Sequence, residues 1–500
     1  MNAKFLLVSV LLMTGLVIAS CNDKVGTPSG GNISVTLDSL ELKLNWLDYR
    51  LAEERWDSVT GGAADSLRFF KNIRWATLSN ERTFHTLRGG GDRLNDETSQ
   101  RYYSLVYPKV LHAYVNNSRS TSGIYDSLAG FNERDEIEFD GATRSFRYLT
   151  NLVERSGSRS DRELAYRTLY SPGETVTAQV SRLFRLRNQV AKRFGYNNYF
   201  ALAENSQQNG STDYLELISA VDSVTRSDYR QVFTGLRDNF REGSLEIWDW
   251  RHAFADTWRD LDRFFPADSQ IRFLKRSLAG MGFDLDNTPI YFHELGDSAA
   301  PAYAETIVMT PPYDIRIVCN LTDGVSSMQH LMKAAGAAVH AAETSEESYL
   351  FSTTVDPAWS DGIGRFFEDL CLEPAWLRTY ARVPEALVSR VVEAGRADDL
   401  LELRLLVTNA MFEYEAYRNP NTDLNDVWWR LFETYTMLPV NEDLQPWAMN
   451  QSFVTEALGY RDRLQAEVIA AQTTAYLKDF YGAVVENTEV RSFLVHNYLR

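Results

Sequence analysis

A chain of 500 residues with 44% hydrophobic and 12% aromatic content can bury a large core. Its formal net charge of -17 excludes a nucleic-acid binder of the ordinary kind, since gripping phosphates needs a basic face. The same acidity otherwise reads as a solubility device.

Lys4 is followed by an apolar run from Phe5 to Ala19 and then Ser20-Cys21. A short basic head, an h-region of about fifteen residues and a small residue before the break predict an export signal over residues 1–20. That run is too short for a comfortable membrane span. Ile18-Ala19-Ser20-Cys21 resembles the lipobox of bacterial lipoproteins, which implies cleavage before Cys21, acylation of its thiol and a membrane address in the cell envelope. Residues 21–34, rich in Gly and Ser, then read as a flexible tether, and residues 35–500 as one helical domain. With Cys21 assigned to lipid, two cysteines remain. Cys319 and Cys371 are either a disulfide or two buried thiols, and both readings stay open.

From Ile33 to about Asp161 the apolar residues recur at helical spacing, most clearly in LDSLELKLNWLDYRLAEERWD and from Tyr102 to Leu128. Gly89-Gly90-Gly91-Asp92 lacks a following Lys-Ser/Thr and a preceding strand, so it is a hinge rather than a phosphate loop. VTAQVSRLFRLRNQVAKRFGYNNYFAL predicts an amphipathic helix stopped at Gly195, then a turn and a second helix. In Ile247-Trp248-Asp249-Trp250 the rings read as core, and His252, without a carboxylate or Cys at ligand spacing, reads as a core or surface imidazole. A helix ending at Gly280 to Gly282 and a short extended piece follow. Glu305 to Met309 and Asp314 to Cys319, β-branched and joined through Pro311-Pro312, then predict a small antiparallel hairpin.

Val325 to Glu343, VSSMQHLMKAAGAAVHAAE, is Ala-rich and Pro-free, with Met328, Leu331, Met332, Ala335 and Val339 at the period of a buried helix. Together with DIRIVCN before it and WSDGIGRFFEDL after it, this helix resembles the active-site helix of the angiotensin-converting-enzyme family of zinc peptidyl-dipeptidases, a gluzincin family. Two further segments, LRNQVAKRFGYNNYFAL and SFVTEALGYRDRLQAEVIAAQ, are similar to pieces of the same family. The resemblance implies a large, mainly α, two-lobed fold with a deep central cleft and a small sheet beside it. Lid helices would occupy about residues 35–165 and the cleft lobes 166–500.

The resemblance also implies which side chains should carry the chemistry, and they are changed. Lys333 stands at the first zinc His, Ala334 at the general-base Glu and Ala337 at the second His; Asp361, 24 residues after Ala337, stands at the third ligand. Phe453 stands at the His and Arg463 at the Tyr that steady the oxyanion. Tyr460 alone keeps its type, at the position that holds a substrate's terminal carboxylate. An ammonium and two methyl groups offer no lone pair to a metal, so neither catalytic zinc nor any other cofactor is expected. His330 and His340, ten residues and about 15 Å apart along one helix, cannot share an ion. A shifted set of His340, Glu343 and Glu347 is the alternative that would keep a metallopeptidase active. The expected function is a lipid-anchored, catalytically silent relative that binds peptides or a protein partner in its cleft; an envelope scaffold is a further alternative. Lys333 is expected to pair with Asp361, a protein cation in place of the ion.

Overall fold

The computed structural model describes residues 33–63, 66–129, 137–206, 213–296, 301–344 and 356–497. The export signal, Cys21, the tether up to Asn32 and Glu347 lie outside them. Among the described residues no helix is long and apolar enough to cross a membrane.

The chain is mainly helical, with two small sheets among the described residues. Helix α1 (Ile33–Thr60) begins two residues before the expected end of the tether. It is followed by α2 (Leu67–Leu78), α3 (Glu81–Leu87), α4 (Glu97–Asn116) and α5 (Ser122–Ala129). Ile137–Phe139 (β1) and Ala142–Arg144 (β2) pair as an antiparallel hairpin inside the stretch expected to be helical throughout. The turn is Asp140-Gly141, both at positive φ, the two-residue Asp-Gly connection whose twist matches paired strands. The signal was present in the sequence, and helical periodicity on both sides masked it.

Helices α6 (Phe146–Arg155), α7 (Arg159–Tyr170), α8 (Gly173–Arg193), α9 (Tyr199–Ser206) and α10 (Tyr214–Asn239) follow. Gly195, at φ 87°, takes the left-handed step that ends α8, as its position predicts. Next are α11 (Ala255–Asp262), α12 (Ala267–Gly280), β3 (Ile290–Glu294), β4 (Tyr303–Thr310) and β5 (Asp314–Asn320). The β4–β5 pair is antiparallel, as expected. The extended piece before it is a third strand, parallel to β5, which gives the order β3-β5-β4.

Side chains on this sheet alternate cleanly. Ile307, Met309 and Val318 meet Ala52, Trp56 and Val59 of α1 on one face. Ile315, Ile317 and Cys319 face the opposite way, into the core built around α13 (Val325–Glu343). That helix starts where Gly324 turns the chain at φ 121° and Asp262 Oδ1 accepts the Val325 N–H at 3.0 Å. Helices α14 (Pro357–Leu370), α15 (Glu385–Arg418), α16 (Leu424–Thr436), α17 (Gly459–Tyr481) and α18 (Glu489–Asn497) complete the fold.

Two large apolar cores result. The first gathers α1–α5, α8–α10 and α16; the second gathers α11–α14, the sheet and α18. Helices α15 and α17 run through both. Leu387, Val388 and Val391 of α15 belong to the second core and Leu400 to Tyr417 to the first, while Leu464 of α17 lies in the first and Ala470 and Leu477 in the second.

Candidate functional site

The positions singled out by the resemblance come together on α13 and α14. Gly336 explains how closely these helices approach: a Cβ there would lie 2.8 Å from Phe367 Cδ2, so only glycine fits. One turn earlier on α13, the Lys333 stem runs over Gly364, with Lys333 Cγ 3.4 Å from where a Cβ at that glycine would be. Ala334 is buried and Ala337 half-buried. The Ala334 carbonyl accepts the Thr306 hydroxyl at 2.6 Å, which sets the edge strand β4 directly beside these positions.

The expected Lys333–Asp361 pair does not form. Lys333 Nζ lies 3.4 Å from Glu368 Oε2 instead. Asp361 and Glu368 are seven residues apart on one face of α14, and the α13–α14 register points the lysine at the second. Asp361 is left with through-space help only: burial raises its carboxyl above the ordinary range, opposed by Lys333 and Arg463.

These residues do not fit a zinc ion. A cation and two methyl groups occupy three of the four key seats, and the lysine is directed at a carboxylate. In the shifted set, Glu343 gives both carboxylate oxygens to Arg491 at 3.0 Å each, and burial lowers the His340 pKa. Among the described residues no group of three or more His, Cys, Asp or Glu is arranged to hold a metal.

Sequence reasoning missed the electrostatic centre of this region, Arg365. Its guanidinium lies 2.8 Å from Asp399, 3.1 Å from Asp369, 3.5 Å from Glu402, 3.6 Å from Glu467 and 4.0 Å from Glu368. The carboxylates come from α14, from α15 where it passes between the two cores, and from α17 at the same level. Five carboxylates thus face two cations, Arg365 and Lys333. Burial pushes Asp369 up to about 8 and Glu467 up to about 7, with Arg365 opposing. Burial likewise raises Asp399, although its side chain is 56% exposed. These groups are open to water on one side and crowded by protein on the other. Asp462 is likewise raised, by burial and then by Asp356, to about 7.

The segment expected to flank the reaction centre is built into the protein instead. Phe453 is fully buried, and Tyr460 is 5% exposed with its hydroxyl against Asn450 Nδ2. Arg463 lies over the Tyr460 ring at 5.0 Å and donates to Ser452 Oγ and Glu456 Oε2, each at 2.8 Å. Tyr460, expected to hold a ligand carboxylate, belongs to the first core here. Arg187 fixes the segment from behind. Fully buried, it donates to Asn116 Oδ1 at 2.9 Å, the Tyr417 hydroxyl at 3.0 Å, the Phe453 carbonyl at 2.6 Å and the Val454 carbonyl. The LRN stretch, predicted only as part of an amphipathic helix, therefore supplies a polar clamp.

Elsewhere, Trp248 and Trp250 are buried as expected, and Asp249 between them forms a fully buried ion pair with Arg162 at 2.7 Å. His252 is 3.8 Å from Glu242. Cys319 and Cys371 are both free and buried, which decides between the two readings left open. A cavity of about 340 Å³ lies between α1 and the β4–β5 turn, but its arginines are already committed, Arg316 to Asp314 and Arg50 to Glu53. No protein-family model matches the sequence, and no curated protein matches it either.

Proposed function

We propose that this protein is a lipid-anchored, non-hydrolytic relative of the zinc peptidyl-dipeptidases that binds basic peptide segments at the carboxylate cluster of α14, α15 and α17 beside α13. The observation that carries the reading is the Lys333–Glu368 pair: the position expected to grip a metal holds a cation directed at a carboxylate. Without a metal-bound water and a general base there is no activated nucleophile; of the residues at the positions expected to steady an oxyanion, Phe453 is buried and has no donor, and Arg463 is engaged by Ser452 and Glu456. A two-lobed architecture is supported by the two apolar cores that α15 and α17 traverse, with the carboxylate cluster placed where α15 passes from one to the other.

Recognition would use two features. β4 is an edge strand beside Ala334, and main-chain N–H and C=O groups on such an edge can pair with an extended peptide whatever its sequence. The excess of carboxylates around Arg365 then favours Lys and Arg side chains on the ligand.

Elemental analysis of purified protein, followed by calorimetric titration with unblocked basic and acidic peptides, tests this. The expected result is no stoichiometric zinc, no cleavage, and salt-sensitive binding of the basic peptides. Stoichiometric zinc with peptide hydrolysis abolished by chelation would overturn it.

A further inference from the structure

Helix α1 carries two apolar stripes, and only one of them is used inside the protein. Ile33, Leu37, Leu40, Leu44 and Leu47 are buried. Val35, Leu42, Trp46 and Tyr49, spaced seven, four and three residues apart, form a second stripe on the opposite side of the helix. They are exposed, Leu42 by 74% and Val35 by 60%. Phe69 of α2, 58% exposed, extends the stripe through ring contacts: Trp46 to Phe70 at 5.6 Å and Phe70 to Phe69 at 5.4 Å. Charges of both signs border the stripe: exposed Lys43, Arg68 and Lys71 lie next to Leu42 and Phe69 in the sequence, while Glu41 also adjoins Leu42, Asp38 lies one turn before it, and Glu53 accepts the Tyr49 hydroxyl.

We infer that this face lies on a lipid surface, the one to which Cys21 is anchored; the inference rests on the lipoprotein reading of residues 18–21. Twelve peptide steps separate Cys21 from Ile33, so the start of α1 can stand no more than roughly 40 Å from the acylated thiol. An amphipathic helix held at that distance gains by laying its apolar stripe in the headgroup region, where Trp and Tyr are at home. The exposed aromatic cluster of Tyr476, Phe480 and Tyr481 has no such link to the anchor.

The test uses the full acylated protein in phosphatidylcholine vesicles, with an environment-sensitive fluorophore on Leu42→Cys and, as a control, on Ser389→Cys, an exposed position on α15. Cys319 and Cys371 are buried, and acylation occupies the Cys21 thiol (replaced by Ser in the acyl-free protein), so labelling is selective. The expected result is that brominated lipids quench the label at position 42 at least twofold more than the label at 389. Flotation with the vesicles but equal quenching at both positions overturns the docking alone. Failure of the unlabelled protein to float overturns the anchoring and the docking with it. Emission at position 42 that is already blue-shifted in acyl-free protein, and that depends on concentration, identifies a second copy as the cover and also overturns the proposal.

Discussion

Lys333 Nζ stands 3.4 Å from Glu368 Oε2 and makes no ion pair with Asp361, the residue one would match to it from the resemblance. The lysine lies along Gly364, so the packing of α13 on α14 directs it to a carboxylate about two turns along α14 from Asp361. Four predictions follow from this region and its supports.

If α13 and α14 hold the metal geometry of the resembled family, the ligands can be put back. Lys333→His with Ala337→His, leaving Asp361 in place, should bind about one zinc per chain by elemental analysis and stay inactive, because Ala334 supplies no general base. A folded double variant that takes up no zinc would sink the alignment on which the functional reading stands.

Gly336→Ala places a methyl carbon 2.8 Å from Phe367 Cδ2 and should cost roughly 1–3 kcal/mol by chemical denaturation. Gly395→Ala, in the middle of α15 with no atom within 4 Å of the added Cβ, should instead stabilise by about 0.5–1 kcal/mol. Equal effects at the two sites would show that the helix contact is not as tight as drawn.

The carboxyls around Arg365 make stability depend on pH in a definite direction. Asp369 and Glu467 titrate at about 8 and about 7 in the folded protein; in the unfolded chain such groups titrate at about 4. Between those limits the folded state holds more protons than the unfolded state. Raising the pH removes them and lowers stability, with the loss complete above the folded values. The unfolding midpoint should therefore fall from pH 6.5 to pH 8. Arg365→Met removes the cation these groups share. It should cost roughly 1–3 kcal/mol at pH 8, less than a fully buried pair because Asp399 and Glu402 keep about half their exposure, and less again at pH 6. A midpoint that rises over the same interval would contradict this account.

Arg187→Leu strips a fully buried guanidinium from Asn116, Tyr417 and the carbonyls of Phe453 and Val454, leaving those acceptors without donors. A loss of about 3–5 kcal/mol is expected, with faster amide exchange concentrated around residues 450–460. Uniform acceleration across the chain would show that the arginine is not a local clamp.

Much was legible locally. Helix α13 begins and ends at the residues its composition marks, α8 stops before the glycine, and the β4–β5 pair forms where β-branched runs flank two prolines. These features depend on contacts between residues a few positions apart, and the residue types state them directly. The Asp140-Gly141 hairpin was equally local and was overlooked because helical periodicity surrounds it.

What the sequence determined by itself is therefore the helical class and the chemistry of the side chains at 333 and 337, an ammonium and a methyl group, since the absence of a lone pair is a property of the residue. The tertiary structure decided which carboxylate Lys333 meets, that both thiols stay free, that Tyr460 is turned into the core, and that Arg365 gathers acids from three helices more than thirty residues apart. Such pairings depend on the register of one helix against another. That register is set by whole packed surfaces such as the Gly336–Phe367 contact, and no period of three or four residues encodes it.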